Sequence, residues 1–393
     1  MVEEAEALLH ILIILFTAKV LEEIMYRLKQ PTVLGDILAG IVLGPTLLKI
    51  IVVPEHVRAI AWLGIVVLIF LAGFESDISE FKRYGKAAAI VALGGVIACF
   101  GLGYLYGVTV GYGHGSALFL AALLTPTSVG VTVGTLTAIG RLRSREGYIV
   151  LGAAVIDDVY AVIVLSLVYG LAVGSMSLEA YAPLIAGILI LAFILFYVPS
   201  ISNRIQELFY HLHIPDAPFI FTLILGLGVA VFSAHVGLTP IPGAFIIGLA
   251  LSGIRGPERI RRDLEVLEEV ITPIFFAYAG ILLNPWEIPS LYELIPFALG
   301  ITGLGLLGKI IGCGLAARLT GLNWYESMIV GLGMMPRAGV DIVIAVTGLT
   351  LGLIDQAIYM GALMLIYVSS IITPVTVQYV YRLYAKKTEH LIQ

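Results

Sequence analysis

Charged side chains are scarce in this sequence, at 12% of 393 residues, against about 25% in a soluble globular domain. That scarcity excludes an ordinary water-soluble fold, and a mean hydropathy of +1.03 points the same way. Cysteine is almost missing. Cys99 and Cys313 both lie inside apolar runs, which excludes a disulfide framework or thiolate metal cluster and leaves two small core residues. Short alternating segments of the kind that build an outer-membrane barrel are not seen. Met1–His10 is acidic and lacks the basic start and small-residue cleavage site of a secretory leader, so no cleaved leader is expected. No stretch offers a soluble enzymatic, nucleic-acid-binding or partner-binding domain.

What the chain has instead is long, continuous apolar runs. A spanning helix needs about 20 such residues. Thirteen candidates fall near 7–28, 32–51, 58–76, 86–111, 115–139, 147–173, 178–200, 216–236, 239–254, 264–284, 291–318, 323–350 and 356–382. The fold class is therefore an all-α polytopic membrane protein with 13 transmembrane helices. Loops after the odd-numbered spans, with the C-terminal tail, carry 17 of the 22 basic residues, including Lys29, Arg141, Arg255 and Arg262. The other side has only Lys49 and Arg58. Basic residues favour the cytoplasm, so the N-terminus is expected outside and the C-terminus inside a prokaryotic cytoplasmic (inner) membrane.

The chain repeats itself. Val33-Leu34-Gly35 with Gly40 returns as Ile241-Pro242-Gly243 with Gly248; Leu71-Ala72-Gly73 returns as Tyr278-Ala279-Gly280; Thr125-Pro126-Thr127 returns as Met335-Pro336-Arg337. The offset is nearly constant and pairs spans 1–6 with spans 8–13, leaving span 7 as a linker. A shift by an odd number of spans inverts one half in the membrane. Inverted repeats are the architecture of secondary transporters, with the substrate site at the repeat interface.

Spans five and twelve are interrupted near their centres, at Leu124–Gly130 and at Met335–Gly339. Pro126 and Pro336 each remove a backbone donor and free carbonyls one turn back. Such backbone is tolerated in a bilayer only where it is buried or lines a cavity. Two breaks at repeat-related positions predict a pair of crossed, discontinuous helices, with Arg337 and Lys309 compensating the negative half-helix ends.

Asp157 and Asp158 lie about 16 Å into span six by the helix rise. Five ionisable residues sit this deep: Asp157, Asp158, Lys309, Arg337 and Asp341. Facing lipid they would together cost over ~12 kcal/mol, so they are expected to face protein or water. Neighbouring residues on a helix point about 100° apart, so the two aspartates need different partners. One carboxylate can pair with Lys309. The other is left to bind a hard monovalent cation, with Thr127, Ser128 and freed carbonyls as further oxygen ligands.

At these residues the chain resembles the monovalent cation/proton antiporter superfamily, and within it the electrogenic sodium/proton antiporters of the NapA and NhaA type. Pro31–Gly40 ending in Gly44-Pro45, Phe70–Asp77, the Asp157-Asp158 pair and Gly308-Lys309 carry the likeness. The sequence after Pro336-Arg337 departs from the family's commoner Pro-Arg-Gly-Glu, with Asp341 two positions later than that glutamate. The resemblance implies an NhaA-like fold in which Asp158 binds the ion and Asp157 pairs with Lys309 and exchanges a second proton. It also implies a homodimer and an elevator-type motion. The scaffold would be residues 1–83 and 175–289, and the ion-translocating core residues 84–174 and 290–386. Sodium or lithium and protons are the expected cargo, with no cofactor. A potassium/proton antiporter, an ion channel and a non-transporting scaffold are the competing readings.

Other charges read more plainly. Glu75 and Asp77 suggest a solvated helix end beside Lys82 and Arg83. Residues 255–269 suggest an interfacial helix or loop, and Lys19 with Glu22 and Glu23 suggests pairing within one helix. His211 and His213 read as loop residues.

Overall fold

In the computed structural model the chain is helical throughout its described length. The described residues are 2–28, 30, 32–51, 55–173, 182–211, 214–254, 258–282, 291–337, 341, 344–345, 348–349 and 352–392. Met1, Lys29, Pro31, His213, Arg255 and Gly339, named above, lie outside them. Fourteen helices are described: α1 (Val2–Arg27), α2 (Val33–Leu43), α3 (Glu55–Phe74), α4 (Ile78–Thr109), α5 (His114–Leu123), α6 (Val129–Ala138), α7 (Arg145–Val173), α8 (Ala182–Tyr210), α9 (Ala217–His235), α10 (Pro240–Leu251), α11 (Glu258–Ile281), α12 (Leu291–Leu319), α13 (Trp324–Gly333) and α14 (Gln356–Ile392). Among the described residues seven helices are long and apolar enough to cross a bilayer, and α2, α5, α6 and α10 are shorter apolar helices. Glu55–Phe74 buries most of its length, whereas Ala182–Phe209 buries little and turns Ile185, Leu189, Phe193 and Phe196 outward. Outward apolar side chains of this kind are what a lipid-facing helix needs.

Helix contacts follow the glycines. α2 packs on α11 and α3 on α10. A Cβ on Gly40 would overlap the Ala277 carbonyl, and one on Gly280 the Ile37 carbonyl. A Cβ on Gly73 would overlap the Phe245 carbonyl, and one on Gly248 the Phe70 carbonyl. These four glycines lie at matched positions of the sequence repeat, Gly40 with Gly248 and Gly73 with Gly280. Without a hydrophobic drive between helices, such close backbone approach is what holds a bilayer bundle together. Gly280→Val should therefore force α2 and α11 apart, at an overpacking cost of about 1–3 kcal/mol. A lowered thermal midpoint in detergent would show it, and an unchanged midpoint would show the crossing is plastic.

Spans five and twelve are broken. α5 ends at Leu123 and α6 begins at Val129; α13 ends at Gly333 and the chain runs on without helix to Arg337. α4 packs against both α7 and α12, joining the helices that carry Asp157, Asp158 and Lys309.

The structure narrows one of the plainer charge readings and corrects another. Residues 258–269 are helix rather than loop. They are the first half of α11, continuous with its apolar half, and they bury Ile260 and Leu264. Glu75 is not a solvated end beside Lys82 and Arg83. Its carboxylate accepts from Arg261 Nε at 2.5 Å and lies 3.6 Å from Arg143, tying the end of α3 to α11 and to the loop before α7. Asp77 caps α4, accepting from the Ser79 hydroxyl and from the backbone N–H groups of Ser79 and Glu80. Those bonds, the Ser79 hydroxyl foremost, hold its carboxyl below the usual aspartate range.

Candidate ion-exchange centre

The unwound segments of spans five and twelve cross each other. Ser128 N–H donates to the Pro336 carbonyl at 2.6 Å, Thr127 Oγ1 to the Met334 carbonyl at 3.1 Å, and Thr132 Oγ1 to the Gly333 carbonyl at 2.6 Å. Carbonyls released where α13 stops are thus taken up by hydroxyls and amides of the other broken helix. This answers the accounting that unwound backbone demands inside a bilayer. Pro126 and Pro336 sit at the crossing, each in a non-helical stretch where its missing N–H leaves no helical bond unmade.

Arg337 is fully buried at this crossing. Its Nη2 donates to the Leu124 carbonyl at 2.7 Å, one of the last carbonyls of α5, and its Nη1 lies 3.8 Å from Asp341 Oδ1. The guanidinium therefore stands at the negative end of one half-helix while an acid stands beside it. Ser369 and Ser370 on α14 fix the arginine's backbone: Ser369 Oγ accepts from its N–H at 3.1 Å and Ser370 Oγ donates to its carbonyl at 3.1 Å.

The two aspartates of α7 part company. Asp157 and Lys309 are both completely buried, and Lys309 Nζ donates to both carboxylate oxygens at 2.9 Å. Asp158 turns to the other side of α7. Its Oδ2 accepts from Thr239 Oγ1 at 2.6 Å, and the side chain opens on a cavity of about 80 Å³, enough for a cation and a few waters. Thr127, Ser128, Thr239, Arg337 and Asp341 line the same cavity, so its polar wall is built largely of oxygen. Ile65 of α3 and Phe275 and Tyr278 of α11 supply the apolar side.

Thr239 was not singled out in the sequence. It is the N-cap position of α10, ahead of Pro240, yet its hydroxyl makes no capping bond and goes to Asp158 instead. The available signal was a threonine–proline helix start falling at the head of a short span. A hydrogen bond to a charged group contributes about 1.5–3 kcal/mol. Thr239→Val should accordingly raise the half-saturating cation concentration for transport about tenfold or more, and Thr239→Ser should leave it near wild type. Equal values for the two variants would show that this bond does not matter to cation binding.

A multi-pass helical membrane protein with crossed broken helices and ionised groups at their crossing has the form of a secondary ion carrier. The comparisons with known proteins give it a family. The transmembrane sodium/hydrogen exchanger model matches residues 11–382, and the chain belongs to that family of cation/proton antiporters. It is 32% identical to the Na(+)/H(+)-K(+) antiporter GerN of Bacillus cereus over 96% of this chain and 97% of that one. It is 28% identical to the high-affinity Na(+)/H(+) antiporter NhaS3 of Synechocystis, over 94% and 88%. With the K(+)/H(+) antiporter subunit KhtU of Bacillus subtilis the identity is 26%, over 81% and 80%. The sodium proton antiporter MjNhaP1 of Methanocaldococcus jannaschii has the same fold, with a TM-score of 0.74 over 97% of both chains at 17% identity.

Proposed function

We propose that this protein exchanges cytoplasmic sodium or lithium for external protons, with Asp158 as the carrier of either. The observation that carries the reading is the division of labour within one adjacent pair of aspartates. Asp157 has a full-charge partner in Lys309, and Asp158 has a single hydroxyl and an oxygen-lined cavity. A buried carboxylate without a counter-ion needs either a proton or a cation. A site that must hold one or the other, and cannot hold both, couples their movements. Thr127, Ser128 and Thr239 complete an oxygen set suited to a hard monovalent cation.

The Asp157–Lys309 pair supplies a second proton step. Protonation of the carboxylate breaks the ion pair, and re-formation returns the proton. Two protons entering per cation leaving would move one net charge, worth about 2.3 kcal/mol per 100 mV of membrane potential. Alternating access would come from helices α4–α7 and α12–α14 sliding as a body against α1–α3 and α8–α11. In that motion the Thr239–Asp158 bond, which spans the two groups, must break. The same reading takes thirteen spans in inverted repeats, a homodimer formed through the second group, and the N-terminus outside the prokaryotic cytoplasmic membrane. The repeat-related glycine crossings and the asymmetry of basic loops support it.

Potassium as an alternative cation is favoured by the relatives, whose names include both Na(+)/H(+) and K(+)/H(+) antiporters. Proteoliposomes carrying a trapped pH dye, challenged separately with sodium, lithium and potassium, decide between them. Sodium and lithium should drive proton movement at concentrations where potassium does not. A potassium response of equal size would overturn the sodium assignment.

A further inference from the structure

A second set of buried acids lies outside the exchange centre. Asp36 of α2 is 5% exposed, and its Oδ1 meets no hydrogen-bond donor among the described residues. Its neighbour across the helix interface is another carboxylate, Glu22 of α1, within hydrogen-bonding reach. The two are pressed together by the backbone. A Cβ on Gly35, the residue before Asp36, would collide with the backbone of Leu21 and Glu22. The backbones of α1 and α2 therefore approach closely at the level of the two carboxyls.

Three more charges complete the cluster. Glu268 of α11 interacts with both Asp36 and Glu22, and Thr272 hydrogen-bonds to it one turn on. Lys19 of α1 donates to both oxygens of Glu22, at 2.8 and 3.0 Å, from a half-exposed position. Glu269 adds its charge beside Glu268. α6 and α14 also touch α2. α6 has no titratable side chain, and α14 brings only tyrosines before Arg382. Four carboxylates, Glu22, Asp36, Glu268 and Glu269, thus face one ammonium, and that ammonium is already committed to Glu22. A carboxylate without a donor, set against another carboxylate, is satisfied when a single proton is held between the two.

We propose that Glu22, Asp36 and Glu268 form a second proton-binding site, shared by α1, α2 and α11 and separate from the Asp157–Asp158 centre, whose occupancy governs the pH range of transport. The proton is held between Glu22 and Asp36, and Glu268 disfavours its loss leaving a second bare charge in the same interface. The route to the transport cavity is short. Ile37, the residue after Asp36, lines the cavity of Asp158, and so do Phe275 and Tyr278, two and three turns along α11 from Glu268. Loss of the proton places an extra buried negative charge between α2 and α11, both of which contribute residues to the cavity wall. The control of transport rests on the antiport reading above; the proton site itself does not.

Infrared difference spectroscopy across a pH step reads the site without any transport. In lipid-reconstituted protein carrying Asp158→Asn and the charge-neutral pair Asp157→Asn with Lys309→Gln, a protonated-carboxyl C=O band should remain at low pH and disappear on alkalinisation. Adding Asp36→Asn should remove that band. Asn replaces a protonated Asp at equal size, and thermal unfolding checks that the variant is folded. An unchanged spectrum after Asp36→Asn would overturn the site. In proteoliposomes, Asp36→Asn alone should keep sodium-driven exchange but lose one limb of its pH profile, and Asp36→Glu should restore that limb. A profile superposable on wild type, or exchange lost at every pH, would overturn the control of transport. Failure of the antiport reading would look different: wild-type protein would give no exchange, with the infrared band still present.

Discussion

Asp158→Asn should reduce cation-driven proton exchange in proteoliposomes to the level of protein-free liposomes. Asparagine has nearly the shape of aspartate and still accepts the Thr239 hydroxyl that Asp158 Oδ2 accepts at 2.6 Å. What the substitution removes is the charge, and with it the ability to hold either a proton or a cation. It also removes a carboxyl group that is 2% exposed and lacks a full counter-ion when ionised. Burying such a charge is costly, so the variant should unfold at the same temperature as wild type or higher. Lost transport with undiminished stability is the combined signature. Exchange persisting in Asp158→Asn would move the carrier elsewhere.

Lys309→Gln should have the opposite profile, with a large loss of stability. Lys309 and Asp157 are completely buried and joined by two 2.9 Å bonds. Removing one partner of a buried ion pair leaves the other uncompensated, at about 3–5 kcal/mol. Asp157→Asn in the same chain should recover most of that loss, because both charges are then gone; the double-mutant cycle isolates the pair. Under the proposed mechanism the double variant still carries its cation on Asp158 but moves no net charge. Its exchange should continue in a pH-dye assay and give no current on a solid-supported membrane. Electrogenic exchange in the double variant would mean that the pair does not carry the second proton.

Much of this architecture was readable in the sequence because a bilayer restricts what a chain can do. Two prolines at repeat-related depths pointed to breaks, since a lipid-facing helix cannot leave backbone groups unpaired. The crossing at Ser128–Pro336 and Thr127–Met334 is where those breaks meet. The repeat glycines were visible as a pattern. That Gly40 meets Gly280 while Gly73 and Gly248 meet the opposing backbone was not, because spacing along a chain does not say which helices touch.

What escaped the sequence has a common cause. Thr239, Glu75 and Asp36 take their importance from partners far along the chain: Asp158, Arg261 and Glu22. A threonine before a proline reads as a helix cap. A glutamate at a span end reads as solvated. An aspartate four residues into a short span reads as lying at headgroup level. Asp36 was visible in the segment Pro31–Gly40, but nothing local marks it as buried to 5% exposure. The deep charges of α7 and α12 were easier to find because their depth alone made them costly.

The central claim is that one carboxylate, Asp158, holds cation and proton in competition. The most direct test is the half-saturating sodium concentration for transport, measured by electrometry on wild-type proteoliposomes across a range of pH. Competition at one site makes that concentration rise as pH falls, approaching about tenfold per pH unit once the proton dominates the site. A half-saturating concentration that stays constant with pH, while the maximal rate alone varies, would contradict a shared site at Asp158.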